Sequence, residues 1–218
     1  MSANPAANDE WRPATPPETR SLATLAAAAR TCTACPLYKN ATQTVFGEGP
    51  RKPKIVFIGE QPGDQEDRAG HPFIGPAGTL LNRALEEAGI ARGECYVTNA
   101  VKHFKWEPRG KRRLHKTPSS RDVAACGPWF EAELALLKPH TLVLLGATAA
   151  KAVFGPAIKV TVARGKLMAS PYCERTLVTV HPSSLLRAQS DEERRAGLER
   201  FVSDLRVALS GSAALRGD

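Results

Sequence analysis

The chemically capable residues of this chain fall in four segments. The first, Gly59–Gly78, reads GEQPGDQEDRAGHPFIGPAG and crowds glycines and prolines around the carboxylates Glu60, Asp64, Glu66 and Asp67. Glycines let a backbone approach a ligand closely. Phe73 lies between Pro72 and Ile74, where its ring either stacks on a flat ligand such as a nucleobase or fills the core below the loop. The second segment, Lys105–Pro118 (KWEPRGKRRLHKTP), holds seven Lys, Arg or His among its fourteen residues. That density suits phosphate contact, and it also suits a solvated charge run. The third is His181-Pro182-Ser183-Ser184. The fourth is Cys32-x2-Cys35, followed by Pro36, with Cys126 far downstream. It fits a redox pair, half a zinc site or part of another metal site.

The whole chain narrows these options. A formal net charge of +8 over 218 residues, with a pI near 9.5, favours a polyanionic partner, nucleic acid first. The length suits one domain with a substantial core. Five cysteines, an odd number, argue against a disulfide framework. The longest apolar stretches are too short to span a bilayer, and no apolar run follows a basic start at the N-terminus. A cytoplasmic, monomeric protein without membrane contact is the expectation.

The elements that must position these segments alternate. Residues 1–20, rich in proline and small residues, read as a disordered tail, and residues 210–218 as a frayed end. Between them, residues 21–209 read as one domain. Strands are predicted over Lys54–Gly59, Tyr96–Val101, Thr141–Leu145 and Thr176–Val180. Helices are predicted over Leu22–Arg30, Ala77–Ala88, Ser119–Leu137, Ala147–Phe154 and Asp191–Leu209, with a disturbance at Gly127-Pro128. Glu60–Pro76 and Lys102–Pro118 read as long loops. Alternating strands and helices imply an α/β fold with a parallel sheet covered on both faces. Ligands of such folds bind at the carboxyl ends of the strands, where most of the chemically capable segments fall.

GEQPGDQEDRAGHPFIGPAGTLLNRAL, YVTNAVKHFKW and HPSSLLR, in this order and spacing, resemble the uracil-DNA glycosylase superfamily, and within it the iron–sulphur branch related to the type-4 enzymes. The likeness runs from about Thr31 to Leu205. It implies a three-layer α/β/α fold with a four-stranded parallel sheet. It implies that Asn99 reads the uracil edge, that His181 supports O2 as charge develops, that Phe73 stacks on the base, and that backbone groups at Gln61 and Gly63 complete the pocket. It also implies a 4Fe-4S cluster with a structural role. Its ligands would be Cys32, Cys35 and Cys126, with His103 standing where the family has its third cysteine. Cys95 and Cys173 have no such match and read as buried thiols.

Lys111–His115 (KRRLH) is similar to the KRRIH loop of the covalent uracil-DNA-binding branch called UdgX. That likeness makes His115 a nucleophile toward the sugar, with Glu60 or Asp64 orienting or deprotonating it. Lys111, Arg112 and Arg113 would hold the loop and the phosphates. Ser183, Ser184 and Arg187 would touch the DNA backbone. The expected activity is uracil excision from DNA, single-stranded first and double-stranded as well, with free uracil as product and the DNA retained on His115. A multiple-turnover glycosylase, a non-catalytic iron–sulphur DNA-binding protein and a zinc protein are the alternatives.

Overall fold

Hydrophobic alternation divides the central strands between two cores. The computed structural model describes residues 11–210. Four parallel strands, β1 (Ile55–Gly59), β2 (Cys95–Asn99), β5 (Thr141–Leu145) and β7 (Thr176–Thr179), are buried along their whole length. They stand in the order β2-β1-β5-β7. Ile55 and Phe57 of β1, with Val97, Val143 and Leu177, face α3 (Pro76–Ala88) and α8 (Asp191–Leu209). Val56 and Ile58, with Tyr96, Leu142, Leu144 and Val178, face α4 (Ser120–Leu137) and α5 (Gly146–Phe154). These two faces give the expected three layers.

The sheet has five strands where four are expected. The fifth, β6 (Leu167–Met168), is an antiparallel edge strand on β7. Two residues carry no periodicity, so nothing in the sequence marks them. The two long loops also contain structure. Glu60–Pro76 includes α2 (Asp64–Ala69). Lys102–Pro118 folds into a hairpin of β3 (Trp106–Arg109) and β4 (Arg112–His115). Gly110 turns it with φ +59°, at the first of two central turn positions, where glycine is favoured. Short helices α6 (Val160–Ala163) and α7 (Pro182–Leu186) complete the domain with α1 (Leu22–Ala29). Helix α4 runs through Pro128 and is not interrupted there.

Part of the segment expected to be a disordered tail is ordered. Residues 1–10 and 211–218 lie outside the described residues, but Trp11–Arg20 packs on the domain. The Trp11 indole donates to Asp122 at 2.8 Å, Ala14 N donates to Ala125 O at 2.8 Å, and Ala14 is buried. A tryptophan with a buried carboxylate to bond outweighs the local proline-rich composition. Among the described residues no helix is long and apolar enough to cross a membrane.

The chain leaves β1 toward β2 on one side and later returns to β5 on the other. The crevice between the carboxyl ends of β1 and β5 is therefore the topological switch point, where open α/β sheets bind ligands.

Candidate active site

Asn99 ends β2 and Gly59 ends β1, directly paired. A Cβ on Gly59 would stand 2.4 Å from Asn99 Oδ1 and 2.7 Å from Phe73 Cζ. The glycine is what allows the amide and the ring to close over the strand end. Phe73 takes φ +56°, a left-handed conformation costly for an aromatic residue. Its ring stacks against His181 with centroids 6.3 Å apart and planes inclined by 29°. The structure thus brings together Asn99, Phe73 and His181, which three different segments supply.

His181 caps α7. Its Nδ1 accepts the Ser183 backbone N–H at 3.2 Å and lies 2.8 Å from Ser183 Oγ. An accepting Nδ1 places the ring proton on Nε2, the tautomer that offers a donor. Burial, with the His115 and Arg187 charges, pushes its pKa down to about 4, so the ring is neutral near pH 7. Gly146, at φ +87°, lets His181 seat closely, since a Cβ there would meet His181 Cβ at 2.9 Å.

His115 ends β4 and is about half exposed, with 48% of its side-chain surface accessible. Its Nε2 lies 3.5 Å from Glu60 Oε1 and 2.9 Å from Gln61 Nε2. Burial holds the ring below the usual histidine pKa, Glu60 opposes that shift, and Arg187 reinforces it. Of the two carboxylates expected to serve His115, only Glu60 approaches it. Asp64 is bound instead to Arg68, at 2.9 Å, and to Arg113.

Several expected contacts prove to be internal. Arg113 bonds Asp64, donates to the buried Asp67 at 2.6 Å, and lies over the rings of Phe104 and Trp106. With 11% of its side chain exposed, it anchors the hairpin and does not present itself to solvent. The Gly63 N–H is committed to Glu66 Oε2 at 3.1 Å, so it is no free donor for a base. The Gln61 side chain is engaged with the hairpin. Its amide nitrogen reaches Lys105 O (3.2 Å) and Lys116 O (3.0 Å), and its Oε1 accepts from Lys105 N at 3.0 Å. Lys111, Arg112, Ser184 and Arg187 remain exposed around the site, although Ser184 Oγ also donates to His181 O at 2.7 Å.

Two contributors escape sequence reasoning. Glu66 ties together the ends of the pocket loop by accepting from both Gly63 N and Gly75 N. The hydroxyl of Thr148, in the first turn of α5, donates to Glu60 Oε2. Thr148 belongs to no segment whose residue types advertise chemistry, and Glu66, although it lies in the Gly59–Gly78 segment, is given no role by its residue type alone. The crowding of carboxylates among the glycines of that loop was the available signal for Glu66.

The thiols form a separate region. Cys32 and Cys126 border one apolar cluster with Trp129 and Val101. The Trp129 indole N–H donates to Cys32 Sγ at 3.2 Å, and Lys102 N donates to Cys126 Sγ at 3.2 Å. Burial pushes the Cys35 thiol up to about 11 and the Cys126 thiol up to about 12, and Cys32 and Cys35 add to the latter. N–H donors on sulfur suit a set of thiolate ligands, so this part of the chain fits a thiolate-bound group. His103 is buried beside Asp67, with its pKa lowered to about 4 chiefly by burial. Among the described residues, however, no three His, Cys, Asp or Glu side chains are gathered closely enough to hold a metal ion. Cys95 is a buried thiol as expected, and Cys173 is partly buried.

An amide, an aromatic ring and a neutral imidazole gathered at the switch point of a parallel sheet define an α/β protein with a ligand site at its strand ends. The chain belongs to the uracil DNA glycosylase superfamily, whose family model matches residues 46–206. It is 43% identical over 169 residues to a type-4 uracil-DNA glycosylase of Thermotoga maritima, covering 77% of this chain and 84% of that protein. It is 35% identical over 165 residues to the type-4 enzyme of Pyrobaculum aerophilum, covering 72% and 81%. The corresponding figures for Sulfurisphaera tokodaii are 33% over 163 residues, 71% and 71%.

Proposed function

We propose that this protein excises uracil from DNA and retains the resulting abasic site on His115. The observation that carries this reading is the convergence of a half-exposed neutral imidazole, Glu60 and the Asn99–Phe73–His181 pocket at one strand edge. The base enters the pocket flipped out of its stack, because the glycosidic bond is otherwise unreachable. Phe73 stacks on it. Asn99 donates to O4 and accepts from N3–H. His181 donates from Nε2 toward O2.

The bond between C1′ and N1 breaks with its electron pair moving onto uracil. The His181 and Asn99 donors lower the energy of that anion. The electron-poor C1′ is then captured by the lone pair of His115 Nε2. The ring becomes an alkylated imidazolium, whose positive charge faces Glu60. Uracil takes a proton from solvent as it leaves, and no water attacks C1′. Lys111, Arg112 and Arg187, with Ser183 and Ser184, meet the DNA backbone of a single-stranded or duplex substrate. Cys32, Cys35 and Cys126, with His103 as the fourth candidate, would hold a 4Fe-4S cluster. Such a cluster would pin the N-terminal segment and the chain after β2 to the domain.

A conventional multiple-turnover glycosylase is the second reading, favoured by the exposure of His115, which leaves room for water. The experiment mixes protein with uracil-containing single-stranded DNA and follows adduct and free uracil by denaturing gel and mass spectrometry. The expected result is a stoichiometric adduct on His115, lost in His115→Ala and absent with thymine DNA. Uracil released in large excess over protein without an adduct overturns covalent capture in favour of turnover. Salt-sensitive binding with no base release overturns both.

A further inference from the structure

We propose that Thr148 is a positioning residue for Glu60, and through Glu60 for His115. This deepens the covalent reading above and rests on it. Glu60 leaves the end of β1, and Thr148 opens α5 immediately after β5. Their bond therefore crosses the switch-point crevice between the two strands. The carboxylate has two oxygens with separate duties. Oε2 accepts the Thr148 hydroxyl proton, and Oε1 faces His115 Nε2 at 3.5 Å. A carboxylate on a strand-end loop has several rotamers available, and the hydroxyl selects the one that presents Oε1 to the imidazole. Glu60 is only 22% exposed in its side chain, so few water molecules compete for that role.

The same turn serves the other histidine. Gly146 admits the close approach of His181, and Thr148 stands two residues later. Hence the junction Gly146-Ala147-Thr148 supports the base-side donor with one residue and the sugar-side carboxylate with another. The charged groups facing His115 are Glu60 after β1 and Arg187 after α7, with neutral His181 beside them. Glu60 favours the charged ring and Arg187 disfavours it. If Glu60 swings away, the Arg187 field acts unopposed, and His115 loses its proton at a lower pH.

The test compares adduct formation under single-turnover conditions for the wild type, Thr148→Val and Thr148→Ser from pH 5 to 9. Valine keeps the shape and removes the donor, whereas serine restores the donor. Thr148→Val is expected to form adduct roughly ten- to a hundredfold more slowly, the effect of losing a hydrogen bond to a charged group. The acidic limb of its rate profile should move to lower pH. Thr148→Ser should regain the wild-type rate to within about threefold, the range expected of an interaction largely restored. A merely structural role would slow the reaction without moving that limb. If the wild type forms adduct and Thr148→Val matches it in rate and limb, the proposal fails while covalent capture stands. If the wild type forms no adduct, covalent capture fails and this proposal falls with it.

Discussion

Removing the ammonium of Lys102 should lower the melting temperature by about 6–20 °C. Lys102 and Glu133 are 1% and 0% exposed in their side chains and lie 2.5 Å apart. The ammonium also donates to Thr98 Oγ1 at 2.6 Å and to Asn99 O at 3.0 Å. Glu133 further accepts from the Tyr96 hydroxyl, the Thr98 hydroxyl and Gly47 N. Lys102→Met keeps the aliphatic stem and leaves Glu133 without its counter-charge in a site closed to water. Breaking a buried pair from one side costs about 3–5 kcal/mol. A chain of this size loses about 2–4 °C per kcal/mol, which gives the range above.

The assay is thermal unfolding followed by circular dichroism, with Glu133→Gln as a second approach to the same pair. Glutamine leaves the ammonium without its counter-charge, and residue 133 is not a partner in the Lys102 N–H bond to Cys126. Both variants should therefore fall together. The double variant Lys102→Met/Glu133→Leu should recover part of the loss, because no uncompensated charge remains. A melting temperature within about 3 °C of wild type for both single variants would refute the reasoning, since it amounts to about 1 kcal/mol. It would mean that water or a proton already neutralises the carboxylate.

Two further outcomes follow from the site. Arg112→Ala should weaken uracil-DNA binding and reduce the slope of log affinity against log salt by about one phosphate contact, whereas Arg113→Ala should leave that slope unchanged and expose the hairpin to proteolysis; an equal loss of slope in both would place Arg113 on the DNA. His181 titrates near 4 when folded and near 6.5 when unfolded, so the unfolded chain binds the proton first as pH falls and stability is lost between those values, by up to about 3 kcal/mol. His181→Asn, which can still cap α7, should flatten that part of the melting-temperature profile, and an unchanged profile would show that the folded ring takes up its proton as readily as the unfolded one.

The fold was legible because its four long strands are hydrophobic without interruption and the helices between them carry ordinary caps. Ser119 and Ser190 both receive the backbone N–H bonds expected of N-caps. The residues proposed to meet the base were legible as well: Asn99 closes β2, Phe73 follows Pro72 in the glycine-rich loop, and His181 precedes Pro182 just after β7. What was not legible is the set of ties between segments. Glu60 and Thr148 are 88 residues apart, Arg113 and Asp64 are 49 apart, and Gln61 and Lys105 are 44 apart. No local pattern encodes such pairs, because threonine, arginine and glutamine are ordinary surface residues until a partner is placed opposite them.

The basic loop shows how one backbone feature resolves that ambiguity. As a run of like charges, Lys111, Arg112 and Arg113 are equivalent, and all three fit a phosphate role. As β4 they are not. Successive side chains of a strand point to opposite faces, so Arg113 and His115 share one face while Arg112 and Leu114 share the other. The first face turns inward, where Arg113 meets Asp64 and Asp67 and His115 meets Glu60. The second face is exposed at both residues. The turn residues Gly110-Lys111 were the available signal for a hairpin, but Pro108 and the charges around it masked any alternation of apolar and polar residues. Given the hairpin, the position of the His115 imidazole follows from parity: it lies two residues from the arginine that clamps the strand, so the same bond pair that fixes Arg113 directs the ring toward Glu60. A one-residue slip in this hairpin would send His115 outward and bring Leu114 to the carboxylate.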